Sequence, residues 1–271
     1  MAAAPVDEHD ALARLSRTHG TAGLSAAVLS LVAQWHTGLL PKPALRAAWS
    51  AETRDTPTAE AIDADVASLS VASRLPCLEA MLKRVRLGPK DDRRSLLQAT
   101  RRVMAARSPT LPIDRLLWLA MRRSLGERPP TADLPAARND LTDLPAPMRE
   151  QIAAVTAHLS RLIPGVEGTS SGDGVAWYGV VMRPLMHDAT PTAPVFPNGD
   201  ALAHALLEVQ TLPWMLRPVL VRAWVDAARQ VGPRVGLSST AADALRLVAG
   251  LLDSPLPPEL ARHHTELNWD A

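Results

Sequence analysis

Apolar positions recur along this chain at three- and four-residue intervals, in runs cut short by proline and glycine. That spacing marks amphipathic helices, whose period brings positions i, i+3, i+4 and i+7 to one face. The stretch from Ser73 to Gly126 predicts three of them in succession. The first is expected to open at Pro76, because proline suits a first helical turn, where its missing N–H costs nothing. Its apolar face is Cys77, Leu78, Met81, Leu82 and Val85, and Gly88-Pro89 ends it. The second places Leu96, Leu97, Val103 and Met104 on one face and turns Arg94, Arg101 and Arg102 away from it. The third begins at Pro112, with Asp114 near the positive end of its dipole. It aligns Ile113, Leu116, Leu117, Ala120 and Met121, closes at Gly126, and is widened by Trp118 and Leu119. It is therefore expected to be the most buried of the three.

The same pattern continues on both sides. Residues 1–20 are polar and read as a loose or short helical arm. Ala22 to His36 predicts a helix with a broad apolar surface, and Pro41 to Trp49 a further short piece. Thr56 to Leu69 predicts an acidic helix, expected to neutralise the basic stretch that follows it. Residues 127–144 are dense in Pro, Asp and Asn and read as a linker. Beyond it, Pro147 to Leu162 (Ile152, Val155, Leu159, Leu162) and Val175 to Met186 (Trp177, Tyr178, Val181, Met182) predict two helices separated by a Gly/Ser-rich loop. A Pro-rich loop at 187–199 leads to a helix from Asp200 to Leu212. Thr211 is expected to cap the next, with Pro213 at its first position, and Pro218 to kink or restart it. Ser238 or Ser239 caps a helix carrying Ala241, Ala244, Leu245, Val248, Leu251 and Leu252, stopped by Asp253-Ser254-Pro255. Pro257-Pro258-Glu259 opens a last short helix to about Leu267. No stretch alternates as a strand does.

Composition supports helix over sheet. Only nine residues are aromatic, seven of them Trp, so the core must be mostly Leu, Ala and Val rather than the β-branched and aromatic residues that strands favour. The single cysteine, Cys77, excludes an intramolecular disulfide and sits on an apolar face, where it reads as a small hydrophobe. MAAAPVDEHD lacks the basic and apolar regions of a signal peptide. From Thr18 to Pro41 there is no formal charge, yet the apolar part is about a dozen residues where a membrane span needs about 20, so a buried core helix is expected there.

Charge is uneven. From Lys83 to Arg128 there are thirteen Lys or Arg against Asp91, Asp92, Asp114 and Glu127, a local excess of +9 in a chain whose total is +1. The remainder carries −8. Such a patch suits an acidic protein, an anionic lipid surface or nucleic acid, or is simply the solvated back of helices. Nucleic-acid binders interleave aromatics, and here only Trp118 is present, on an apolar face.

Motifs for chemistry are weak. Gly168-Thr169-Ser170-Ser171-Gly172 matches G-x-S-x-G, but that nucleophile elbow needs a strand before the serine, and a helix with Pro-Gly precedes it here. H-E-x-x-H is absent. His204 with Glu208, and His263 and His264 with Glu259 and Glu266, offer at most partial metal sites, since zinc needs three or four ligands. His187-Asp188 has no nucleophile partner in view. Trp214 and Trp224 are candidates for a ligand-binding surface, but ten residues apart they fall on different faces, and core packing is the favoured reading.

The strings SRLPCLEAMLKRVR, RRSLLQATRRVMAA and IDRLLWLAMRRSLG, with LPWMLRPVLVRAWVDAA and LLDSPLPPELARH, resemble the helical region C-terminal to the protease domain in some proteobacterial HtpX-like, membrane-bound zinc metallopeptidases. Part of that region is similar to the tellurite-resistance TerB-like helical fold. The resemblance covers roughly residues 70–265 and rests on packing patterns. It implies a helical accessory region and transfers no catalytic or metal residue, since the zinc motif and membrane spans of the protease half have no counterpart here. Where TerB-like domains place an acidic Asp-Gly turn, this chain has Ala106-Arg107-Ser108-Pro109.

The expectation is therefore an all-α protein of two packed multi-helix halves of short helices with Pro-rich linkers: an arm at 1–20, a helical domain at 21–126, a linker at 127–144 and a second helical domain at 145–267. Its function is read as a non-catalytic interaction or accessory module, with a split or degenerate metallopeptidase and a nucleic-acid binder as alternatives. Arg94, Arg101, Arg102, Arg122 and Arg123 form the candidate interaction surface. The expected partner is another protein, then an anionic membrane surface, with nucleic acid last. No cofactor is implied. The expected location is the cytoplasm, with peripheral attachment to the inner membrane as a variant.

Overall fold

A computed structural model describes residues 7–35, 43–107, 110–126, 140–163, 171–186, 194–231, 237–267 and 269. Among these residues the protein is all-α, with no strand. The helices are α1 (Glu8–Arg17), α2 (Gly20–Ala33), α3 (Pro43–Thr53), α4 (Ala59–Ala67), α5 (Val71–Arg86), α6 (Lys90–Ala105), α7 (Pro112–Leu125), α8 (Ala146–Leu159), α9 (Ser171–Met182), α10 (Gly199–Val209), α11 (Leu216–Val231), α12 (Ser239–Leu251) and α13 (Pro258–Ala261). The chain divides into two compact units. One comprises residues 1–114, 121–127 and 264–271, and the other residues 115–120 and 128–263.

The first unit is built around α2. Seven consecutive residues of it, Ala26 to Val32, are buried, because the helix is apolar on every side and α3, α4, α5 and α6 all pack on it. This is the uncharged run of the sequence, used as a core helix. No described helix is long and apolar enough to cross a membrane. Polar groups carried into this core are answered locally: the Trp49 indole N–H donates to Ser30 Oγ at 2.9 Å.

Three arginines close helix ends in this unit. Arg74 donates to Gln34 O just past the end of α2 (3.0 Å), and the buried Arg107 donates to Val32 O and Ala33 O. Arg84 donates to Ser16 O and Thr18 O at the end of α1. Cations suit these positions because the last carbonyls of a helix have no intrahelical donor and carry the negative end of its dipole.

Several expectations are corrected. The first helix of the central stretch starts at Val71, not Pro76, so the proline lies inside it. Its apolar face is nevertheless the expected one, and α5 rather than α7 is the most buried of the three helices. Trp118 and Leu119 on α7 are only half-buried. Nor does the acidic helix α4 neutralise the basic stretch. Asp65 takes Arg14 of α1 in a two-pronged hydrogen bond (2.7 and 2.9 Å), while Glu60 and Asp63 take Arg46 of α3. Helix α4 packs on α1 and α2, so its carboxylates meet cations that precede them in sequence. Residues 8–17 of the polar N-terminal segment form α1, whose Ala11 and Leu15 are fully buried.

In the second unit α8 packs on α9 and α10, α9 on α11, and α11 on α12. The predicted faces of α8, α9 and α12 are all buried. A polar chain runs through this core. Thr156 Oγ1 donates to Ile152 O (2.7 Å) and accepts from the Trp224 indole N–H (3.0 Å), and the Trp177 indole N–H donates to Trp224 O (3.2 Å). Gly174 permits the close approach of α9 to the end of α8, since a Cβ there would collide with the Ser160 carbonyl. Asn198 and Ser238 cap α10 and α12 by accepting from Ala201 N and Ala241 N.

Three readings of this unit fail. Helix α11 begins at Leu216, and Thr211 does not cap it: its hydroxyl donates back to Glu208 O, finishing α10 instead. Trp214 is not core. It stands 70% exposed in the turn before α11, while Trp224 is fully buried. The last helix is also shorter than expected and ends at Ala261.

Candidate interaction surface

Helix α6 buries Leu96, Ala99, Thr100 and Val103 and leaves the opposite side to solvent. Arg94 and Arg101 are exposed on that side, seven residues and two turns apart, and so on one stripe. Arg94 has only a loose contact with Asp91 on its own helix, at 3.6 Å with both groups open to water. Arg101 makes no hydrogen bond or ion pair among the described residues. A surface pair as loose as Arg94–Asp91 holds little energy, so both guanidinium groups are available to a partner.

Arg102 is placed differently. It grips Glu52 of α3 through two parallel bonds, Nε to Oε1 at 2.6 Å and Nη2 to Oε2 at 2.8 Å. The bond from Arg102 outweighs the upward push of burial, and the Glu52 carboxyl is held below its ordinary value. Arg122 is exposed on α7 and Arg123 is half-buried beside it.

Three other members of the basic stretch, Arg84, Arg107 and Arg115, are structural. Arg84 and Arg107 hold helix ends, as above. Arg107 also pairs with Asp114 at 2.5 Å with both side chains buried, and Asp114 accepts from Leu111 N at 2.8 Å to open α7. Arg115 donates to Pro197 O at 3.2 Å. The +9 excess is therefore split between internal fastening and an exposed set that includes Lys83, Arg86 and Lys90 beside Arg94, Arg101 and Arg122. Sequence periodicity alone separates Arg94 and Arg101 from the core; it gives no signal for the long-range partners of Arg84, Arg102 and Arg107.

The remaining candidates come apart. Cys77 is fully buried and burial pushes its thiol up to about 12, so it is no nucleophile near neutral pH. Among the described residues no three His, Cys, Asp or Glu side chains gather as a metal site would require. His204 is exposed on α10 with Glu208 one turn on, and Glu259 faces Arg222 at 3.3 Å. Residues 168–170, His187, Asp188 and 127–139 lie outside the described residues. Apolar residues expected in the core are exposed instead around the start of α11: Trp214, Met215 and Val219 are each at least half exposed.

No family model, no curated protein and no solved structure matches this chain.

Proposed function

We propose that this chain is a non-catalytic helical interaction module that docks an acidic surface of another protein on the exposed side of α6. The observation that carries the reading is the contrast among its arginines. Arg84, Arg102, Arg107 and Arg115 are fastened to carbonyls or carboxylates of the same chain, whereas Arg94 and Arg101 share one exposed stripe, Arg94 with only the loose contact to Asp91. Arg122 adds to the exposed set from α7. Rigid, exposed guanidinium groups favour planar carboxylate partners through paired hydrogen bonds. The resemblance to the helical region of HtpX-like metallopeptidases points the same way, toward an accessory role beside a larger membrane protein.

The test compares three purified probes: an acidic polypeptide (poly-glutamate), duplex DNA, and vesicles containing anionic lipid. The reading expects the polypeptide to bind, and Arg94→Glu/Arg101→Glu to weaken that binding by about tenfold or more, since juxtaposed like charges cost several kcal/mol. Circular dichroism of the variant stays unchanged. Stronger binding to DNA with a steep salt dependence favours the nucleic-acid alternative, and preference for vesicles favours a lipid surface. Either result, or indifference to the double reversal, overturns the reading.

A further inference from the structure

We propose that the start of α5, at Ala72 and Ser73, is a docking site for a non-helical peptide segment bearing Ser or Thr, and that residues 264–267 of this chain occupy it as an internal ligand. The site follows from Pro76. An α-helical carbonyl receives its bond from the N–H four residues on, and for Ala72 that residue is proline, which has none. The Ala72 carbonyl must therefore find a donor outside its helix. The donor is the backbone N–H of Thr265, at 3.1 Å.

The side chains make the site selective. Thr265 Oγ1 lies 2.8 Å from Ser73 Oγ, a hydroxyl only 1% exposed, which in turn lies 3.2 Å from Ser70 Oγ. One residue of the incoming segment thus answers two adjacent positions, with its backbone N–H on Ala72 and its hydroxyl on Ser73. Any residue but proline supplies the first contact, and only Ser or Thr supplies both without a longer side chain. The rest of the rim is fixed from behind: Glu8 accepts from Ser70 N at 2.9 Å, and Arg74 donates to Gln34 O. Main-chain bonds of this kind give affinity and the side-chain pocket gives choice, as in other peptide-docking domains. This site is separate from the α6 face, so its failure leaves the proposed function untouched.

A tethered occupant competes at an effective concentration on the order of mM, so the site is best opened by disabling the occupant. Thr265→Pro in the full chain removes the N–H and the hydroxyl together. A labelled peptide of the sequence His264–Trp269 is then titrated against it and against the unaltered chain. The expected result is saturable binding to the variant, about tenfold or more weaker binding to the unaltered chain, and loss of binding when Ser73→Ala is added. If the variant does not fold, the unaltered chain carries the test: excess peptide speeds hydrogen exchange at the Thr265 amide by displacing it from Ala72. No saturable binding to a folded variant, binding indifferent to Ser73→Ala, or unchanged Thr265 exchange each overturns the proposal.

Discussion

The N–H of Thr265 donates to the carbonyl of Ala72, nearly two hundred residues away in sequence, at 3.1 Å. The bond explains how α5 carries a proline inside it, because the one acceptor that Pro76 leaves open is filled from another part of the same unit. Pro76→Ala gives α5 its own donor back. Interior proline is about 3 kcal/mol worse than alanine in a helix, and stiffening of the unfolded chain by proline offsets about 1 kcal/mol of that. The variant should gain stability in denaturant unfolding, and the Thr265 amide should exchange faster as it loses sole claim to Ala72. Unchanged exchange at Thr265 would show that Pro76 has no part in holding the segment.

Thr156 is the hinge of the polar chain in the second unit, donating to Ile152 O and accepting from Trp224. Thr156→Val keeps the volume and leaves a buried indole N–H without its acceptor. That costs about 1–3 kcal/mol, read as a lower unfolding midpoint, and Thr156→Ser should recover most of it. Equal losses for Val and Ser would mean that packing, not the hydroxyl, is what matters.

Thr100 gives the opposite sign. Its side chain is fully buried on α6 and its hydroxyl has no hydrogen-bond partner among the described residues. Thr100→Val exchanges a desolvated hydroxyl for a methyl group, so stability should rise by about 1 kcal/mol. A fall in the unfolding midpoint would reveal a partner for this hydroxyl.

The Glu52–Arg102 pair sets a pH dependence. The hydrogen bond from Arg102 comes first among the causes and burial opposes it, leaving the folded-state value of Glu52 below its ordinary 4.5. A depressed carboxyl contributes stability that is fully present above its unfolded value and is lost as pH falls through the lower folded value. The stability difference between the native chain and Glu52→Gln should therefore be present near neutral pH and close in acid. Because Arg102 is 57% exposed the effect is small, below about 1 kcal/mol. A difference that grows in acid contradicts the pairing.

Much of the fold was legible because helical periodicity is a local signal. The faces of α8 and α12 and the core role of α2 follow from spacing alone, and so do the stops at Gly88-Pro89 and Gly126. What was not legible depends on residues far apart in sequence. Pro76 suited a helix start until Thr265 supplied the missing donor. The acids of α4 seemed matched to the basic stretch, yet Arg14 and Arg46 lie closer in space. Trp214 and Trp224 both read as core, but only Trp224 is buried with an acceptor for its indole N–H. At the candidate surface, the outward stripe of Arg94 and Arg101 was readable, whereas the capture of Arg102 by Glu52, fifty residues earlier, was not.

The most direct test of the interaction reading is a paired capture from gently solubilised native cells, with the unaltered chain and Arg94→Glu/Arg101→Glu as baits and the retained proteins quantified and rebound in purified form. The account predicts a specific protein with an acidic surface that the unaltered chain retains and the equally well folded double variant loses. The same protein bound equally by both baits contradicts it.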